Sequence, residues 1–200
     1  MKIYLLFKRI IHKPLPNLTK IMIIMGFFLT LVQVNRVGGS VVANALSSIH
    51  QLTPAEIGVV IGVMFLSSAL VQIPFGIMLD RFGARRMIVG WSSIAIIGTV
   101  IFGLAETSSG LTVGRTLIGI GHGASITGVY LLALAWASPE RVASVAATTI
   151  AVAGALGGMI GTAPLAASIQ YLGFTDTFLY LAVVSLLSSI LIWFFVDDRP

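Results

Sequence analysis

Six apolar runs, each near the length of a bilayer-spanning helix, dominate this sequence. They cover about 21–46, 57–79, 87–105, 111–136, 142–167 and 177–196, and a helix needs about 20 apolar residues to cross a bilayer. The third and sixth runs hold no charged residue; the first and fourth each hold one arginine. Connections are short, so successive helices are antiparallel neighbours. The fold class that follows is all-α: a polytopic membrane bundle of six transmembrane helices. Composition closes off the soluble alternative. Hydrophobic types make up 57% and charged types 10% of the chain, against about 45–50% and 25% in soluble domains. The absence of cysteine excludes disulfides and thiolate metal sites; no cofactor is expected.

The basic residues set orientation. Lys2, Lys8, Arg9, Lys13 and Lys20 precede the first span, and Arg81, Arg85 and Arg86 lie between the second and third. Arg141 lies between the fourth and fifth, and Arg199 follows the sixth, which places ten of the twelve on one side. The other side carries Glu56, Glu106, Asp176 and His50. The positive-inside rule puts the basic side, with both termini, in the cytoplasm of an inner (plasma) membrane. The net charge of +5 is therefore a topology signal, and no nucleic-acid partner is expected. Trp91, Trp136 and Trp193 fall near cytoplasmic span ends, where interfacial aromatics belong.

Residues 1–20 read as a cytoplasmic arm, with 21–196 as the bundle and 197–200 as a tail. Within the arm, Ile3, Leu6, Phe7, Ile10 and Ile11 share one helical face, and Lys2, Arg9 and Lys13 another. This is an amphipathic basic helix for the headgroup plane, stopped by Pro14 and Pro16. A cleaved signal peptide competes, with Ala43-Asn44-Ala45 as the site, but Gln33, Asn35 and Arg36 interrupt the stretch before it.

An internal repeat is visible. Thr53-Pro54-Ala55-Glu56 opens the second span with a capping box, and Ser138-Pro139-Glu140-Arg141 precedes the fifth with the same cap-then-proline order. Pro74 and Gly83 recur as Pro164 and Gly173, each 90 residues on. Pairing spans one to three with four to six inverts the second unit, because three is odd. Inverted 3+3 repeats are a transporter architecture. Chance recurrence of Ser/Thr-Pro at helix starts is the competing explanation.

Between the second and third spans the chain reads Gly76-Ile77-Met78-Leu79-Asp80-Arg81-Phe82-Gly83-Ala84-Arg85-Arg86. This resembles the signature loop of the major facilitator superfamily, Gly-x-x-x-Asp-Arg/Lys-x-Gly-x-Arg/Lys-Arg/Lys, at every defined position. The positive-inside rule accounts for the arginines but not for Asp80 or the two glycines. Gly83 permits a tight reversal and Gly76 a close helix approach. The resemblance implies that Gly76, Asp80, Arg81, Gly83, Arg85 and Arg86 form a gating loop that latches one conformation. Arg115 with Gly119, Gly121 and Gly123 looks like the family's fourth-helix motif. Gly154, Gly157, Gly158, Gly161 and Pro164 resemble its fifth helix more loosely, since Ala163 stands where the antiporter pattern has glycine. Helix packing through small residues explains the span-five glycines better.

The family's transporters have two six-helix halves, and this chain resembles the N-terminal one. A fragment, one subunit of a split transporter, and a half that pairs with itself as a homodimer are all open.

Ionisable residues inside spans default to function. They are Arg36, Arg115 and His122. Arg115 and His122, seven apart, share a face of span four, and Gln33, Arg36, Ser40 and Asn44 form a stripe on span one. The resemblance places helices one and four on the central cavity, with these stripes facing each other. No acidic residue lies inside a span. Two unpaired arginines suit an anionic solute, such as a carboxylate, phosphate ester or sulfonate. The expected solute-binding set is Gln33, Arg36, Asn44, Arg115 and His122. Arg115 could instead snorkel to the outer interface or bond backbone carbonyls, and His122 is either a proton carrier or a packing residue. Asn35 and Gln72 read as interhelical hydrogen-bonding residues.

The expected function is secondary active transport of a small organic anion by alternating access. A transport-inactive structural or assembly subunit is the alternative. An intramembrane enzyme fits poorly: Gly123-Ala124-Ser125-Ile126 is not a Gly-x-Ser-Gly site, and no histidine follows His122.

Overall fold

The computed structural model describes residues 17–198, and all of their regular structure is helical. The amphipathic arm up to residue 16, with Arg199 and Pro200, lies outside the described residues. The helices are α1 (Asn17–Val37), α2 (Gly39–Ile49), α3 (Pro54–Phe82), α4 (Ala84–Leu104), α5 (Ser108–His122), α6 (Ser125–Trp136), α7 (Val142–Ile160), α8 (Ala163–Leu172) and α9 (Phe174–Phe195). With α5 and α6 counted as one, six are long and apolar enough to cross a membrane.

Three of the six runs are interrupted, at Gly38, Gly123–Ala124 and Gly161–Thr162. Each break falls where glycine lowers helix propensity, and Pro164 adds to the last. The long α3, by contrast, carries Pro74 without breaking.

The connections are shorter than the apolar runs alone suggest. Gly83 is the whole link between α3 and α4, and Gly173 the whole link between α8 and α9. Both have a backbone shape that L side chains rarely adopt, φ +87°, ψ 153° and φ +91°, ψ 164°. Each N–H donates to the carbonyl four residues back, Leu79 and Ile169 respectively. Matching corners 90 residues apart, on opposite sides of the bundle, are what an inverted repeat requires.

The caps match less well. Thr53 and Glu56 form the expected capping box: the Thr53 N–H donates to Glu56 Oε2 at 2.9 Å and the Glu56 N–H to Thr53 Oγ1 at 3.4 Å. Ser138 does not cap α7. Its carbonyl accepts from the Arg141 N–H at 2.8 Å, closing a turn, and α7 begins at Val142 with no side-chain cap. Pro139 sits inside that turn, so the second cap-then-proline signal marks a loop.

α5 packs between α3 and α4, α4 also carries α9, and α1 lies along α7. Gly119 and Gly121 permit the first arrangement. A Cβ at Gly119 would meet Met64 and Ser67 of α3, and one at Gly121 the backbone of Trp91 and Ala95 of α4. The apolar core has two parts. One gathers Met25, Phe28, Leu79, Trp91, Leu132, Ala153 and Ile192. The other gathers Leu46, Met64, Phe102, Leu111, Ile118 and Phe178. Ser67, Ser68 and His122 are buried where α3 and α5 pass from one cluster to the other, and Asn35 is buried near the end of α1. Trp91 is not interfacial: it is buried and stacks on Phe75 at 3.4 Å between centroids.

Candidate solute site and signature loop

Arg115 leaves α5 into this packed interior and is 2% exposed. Its Nη1 donates to the Asn35 carbonyl at 3.0 Å and contacts Met64 Sδ at 3.3 Å. Its guanidinium lies 4.5 Å from the Phe102 ring centroid. Nε and Nη2 are buried without a partner among the described residues. A buried cation costs several kcal/mol after relaxation unless its donors are met, and here one carbonyl, one sulfur and one ring face share that work.

Two turns on, His122 is buried with its ring edge-on to Phe28, centroids 6.3 Å apart. Its Nδ1 has no partner among the described residues. Both residues of the α5 stripe therefore face α1, as expected, but they meet Phe28 and Asn35. Of the Gln33–Arg36–Asn44 stripe, Arg36 alone lies near enough for its charge to act on His122, and Gln33 and Asn44 lie elsewhere. Neighbouring helix positions differ by about 100° in direction, so Asn35 and Arg36 point to different neighbours. Arg36 donates from Nη2 to Ser68 Oγ on α3 at 3.2 Å. Gln33 lies against α7, where a Cβ at Gly157 would overlap it. Asn44 and Ser40 are exposed on α2. The five expected solute-binding residues are thus divided among four settings: Arg115 and His122 in the interior, Arg36 on Ser68, Gln33 against α7 and Asn44 at the surface.

Two more expectations change. Asn35 Nδ2 donates within its own helix, to the Leu31 carbonyl at 3.1 Å, and Oδ1 is unpartnered; its interhelical bond is through the backbone. Gln72 is exposed, with no side-chain partner among the described residues. A groove of about 750 Å³ runs between α1 and α7, lined by Met22, Phe27, Leu31, Val145, Val152 and Leu156, with Arg141 its one charged residue. None of the five lines it.

The signature motif is mostly helical. Gly76, Asp80 and Arg81 belong to α3, Arg85 and Arg86 to α4, and Gly83 alone reverses the chain. Nothing stands within 4 Å of a Cβ at Gly76, so the close approach expected there is not made. Asp80, Arg81 and Arg86 are exposed, and none forms an ion pair among the described residues. Arg81 leans over Phe82, 5.3 Å from its centroid. Arg85 is the engaged member: its Nη1 pairs with Asp197 at 3.1 Å, and its backbone N–H donates to Asp198 Oδ1 at 2.7 Å. Neither aspartate is among the residues expected in the gating loop. Their only local signal is an acidic pair directly after an apolar run.

The family model of the Major Facilitator Superfamily matches residues 20–200. The inner membrane transport protein YajR of Escherichia coli is 42% identical over 67 residues, 34% of this chain and 15% of that protein. The probable sulfoacetate transporter SauU of Cupriavidus necator is 29% identical over 167 residues, 84% of this chain and 39% of that protein. A bacterial homolog to the human lysosomal transporter Spinster, solved inward-facing and occupied, superposes with a TM-score of 0.79 at 19% identity. That match covers 94% of this chain and 46% of the solved one. The chain spans less than half the length of these proteins. Six apolar helices, single-glycine corners and a fully matched signature motif agree with the family match: the chain belongs to the Major Facilitator Superfamily.

Proposed function

We propose that this chain is the N-terminal six-helix half of a secondary active transporter. It moves a small organic anion by alternating access, in an inner membrane with the signature-loop side in the cytoplasm. The observation that carries the anion reading is Arg115. It is buried, two of its N–H positions lack partners, and no carboxylate faces it among the described residues. Arg36 supports it, held by a neutral hydroxyl and only half-buried. A carboxylate or sulfonate accepts the bidentate, charge-assisted bonds that such guanidinium groups donate. Likeness to a probable sulfoacetate transporter is in keeping with this charge. Exposed Asn44 and Gln72, without side-chain partners among the described residues, support a second half or an aqueous path over their faces, since polar side chains in spans face protein or water-filled cavities.

The test is exchange of labelled sulfonates and carboxylates in proteoliposomes, with an organic amine as the opposite-charge control. Arg36→Ala and Arg115→Ala are each expected to abolish anion exchange; unaltered exchange in both variants rejects the cavity arginines. The mass of the purified chain is measured alongside. A homodimer that exchanges anion supports a self-pairing half, and a monomer without exchange rejects it. A transport-inactive subunit is the second reading, favoured by the enclosure of Arg115 and the apolar lining of the α1–α7 groove. Exchange by no form of the protein, paired or alone, supports that reading.

A further inference from the structure

The Gly83 corner and the stretch after α9 are bound to each other. α4 begins right after Gly83 with no side-chain cap of its own, and its first turn carries Arg85 and Arg86. Cations at a helix N-terminus oppose the macrodipole, and the first N–H groups of any helix need acceptors. Asp198 answers both needs from 113 residues away, accepting the Arg85 N–H at 2.7 Å. Asp197 takes the Arg85 side chain at 3.1 Å, and the same Nη1 lies 3.4 Å from the Val196 carbonyl. The Trp136 indole N–H donates to the Asp197 carbonyl at 2.8 Å, which ties in α6.

The repeat-related corner shows that folding does not require this arrangement. Gly173 has nearly the same φ and ψ, and α9 starts after it just as α4 starts after Gly83. Yet nothing lies within 4 Å of a Cβ at Gly173, whereas a Cβ at Gly83 would stand 2.6 Å from Asp198 Oδ2. The first turn of α9 carries its own acid, Asp176, where α4 carries two arginines. One corner is complete in itself. The other has its first turn met by an acidic pair from a distant segment.

We propose that Asp197 and Asp198 are positioning residues of the signature loop, forming a detachable brace. Docked, they hold the first turn of α4 and fix Arg85 against the end of α9. Undocked, they free Arg85 and the start of α4 for other partners, and release the segment that follows α9. The proposal takes from the proposed function only that the protein alternates between conformations.

Hydrogen exchange of the full chain in nanodiscs tests it without any solute. In Asp198→Ala, amides 84–87 are expected to exchange about tenfold faster, the loss of one charge-assisted bond. Residues 173–176 serve as the internal control and should not change. Asp198→Asn, which keeps an accepting oxygen, should restore part of the protection. Raising salt from about 0.1 to 1 M, which shortens screening from about 10 to 3 Å, should speed exchange at 84–87 and 195–198 together. Arg85→Asp and Asp197→Arg should each expose the end of α9, and the double exchange should protect it again. Unchanged exchange at 84–87 in Asp198→Ala overturns the proposal, as does loss of protection spread through the middle of α4 and α9. Failure of the double exchange to restore protection also overturns it. Coupled exchange as expected, in a protein that moves no anion, would leave the brace standing and reject the transporter reading alone.

Discussion

The Arg115 guanidinium donates to the backbone carbonyl of Asn35, 80 positions away in the chain, at 3.0 Å. The bond joins the two most buried spans of the bundle, α1 and α5–α6. It uses a main-chain acceptor that no substitution at position 35 can remove, apart from one that moves α1 itself. Nε and Nη2 of Arg115 are unmet among the described residues, so the residue is held in place and still has bonding capacity.

Structure and binding make opposite demands at this position, and Arg115→Met separates them. Methionine has similar volume and no charge to desolvate. Replacing a buried charge by a packed apolar side chain is often neutral or stabilising by about 1–4 kcal/mol. The melting temperature in detergent is expected to hold or rise while anion affinity falls by about tenfold or more. A fall in melting temperature with unchanged affinity would make Arg115 a purely structural residue.

The Thr53–Glu56 box is exposed and local, so its removal should be felt in stability alone. Thr53→Ala is expected to cost about 1 kcal/mol, read as a lower melting temperature. Anion exchange at a temperature where the protein is folded should stay as it was. Loss of exchange at full folding would mean that the start of α3 moves during transport.

Two glycines that look alike in the sequence should behave oppositely. A Cβ at Gly121 meets the backbone of Trp91 and Ala95, which cannot yield, whereas one at Gly90 meets nothing within 4 Å. Gly121→Ala is expected to destabilise by about 1–3 kcal/mol through overpacking. Gly90→Ala should stabilise by about 0.5–1 kcal/mol through helix propensity. Thermal unfolding of the two variants side by side decides the matter, and equal shifts would reject the α4–α5 contact.

That pair also shows what could be read in advance. Apolar run length, the Thr53 cap and the glycine corners rest on local chemistry, so six spans and the reversal at Gly83 were legible in the residues. Breaks at Gly38, Gly123 and Gly161 were not, because a membrane-helix glycine either packs or interrupts, and its neighbours decide which. The site was legible as stripes but not as pairings. Gln33, Arg36 and Asn44 do share a helical face by spacing, yet the rotation of α1 and the break at Gly38 send them to α7, to Ser68 and to the surface. Asp197 and Asp198 gave least away. Their importance is a contact across 112 and 113 positions, and no local pattern encodes it.

Orientation in the membrane can be tested directly because the chain has no cysteine, so each introduced thiol is the only one. Arg86 and Glu140 lie on the signature-loop side; Glu106, in the link between α4 and α5, lies on the other. All three are exposed in the bundle. Lysines and arginines cluster on the first side and none lies in the connections of the second, and the bias of lysine and arginine sets topology during insertion. In intact cells, Glu106→Cys is expected to react with a membrane-impermeant maleimide, and Arg86→Cys and Glu140→Cys only after the membrane is opened. Reversal of that pattern would invert the transporter and place Arg85 with its aspartate pair outside the cell. Labelling of all three in intact cells would mean the helices do not cross the bilayer as assigned.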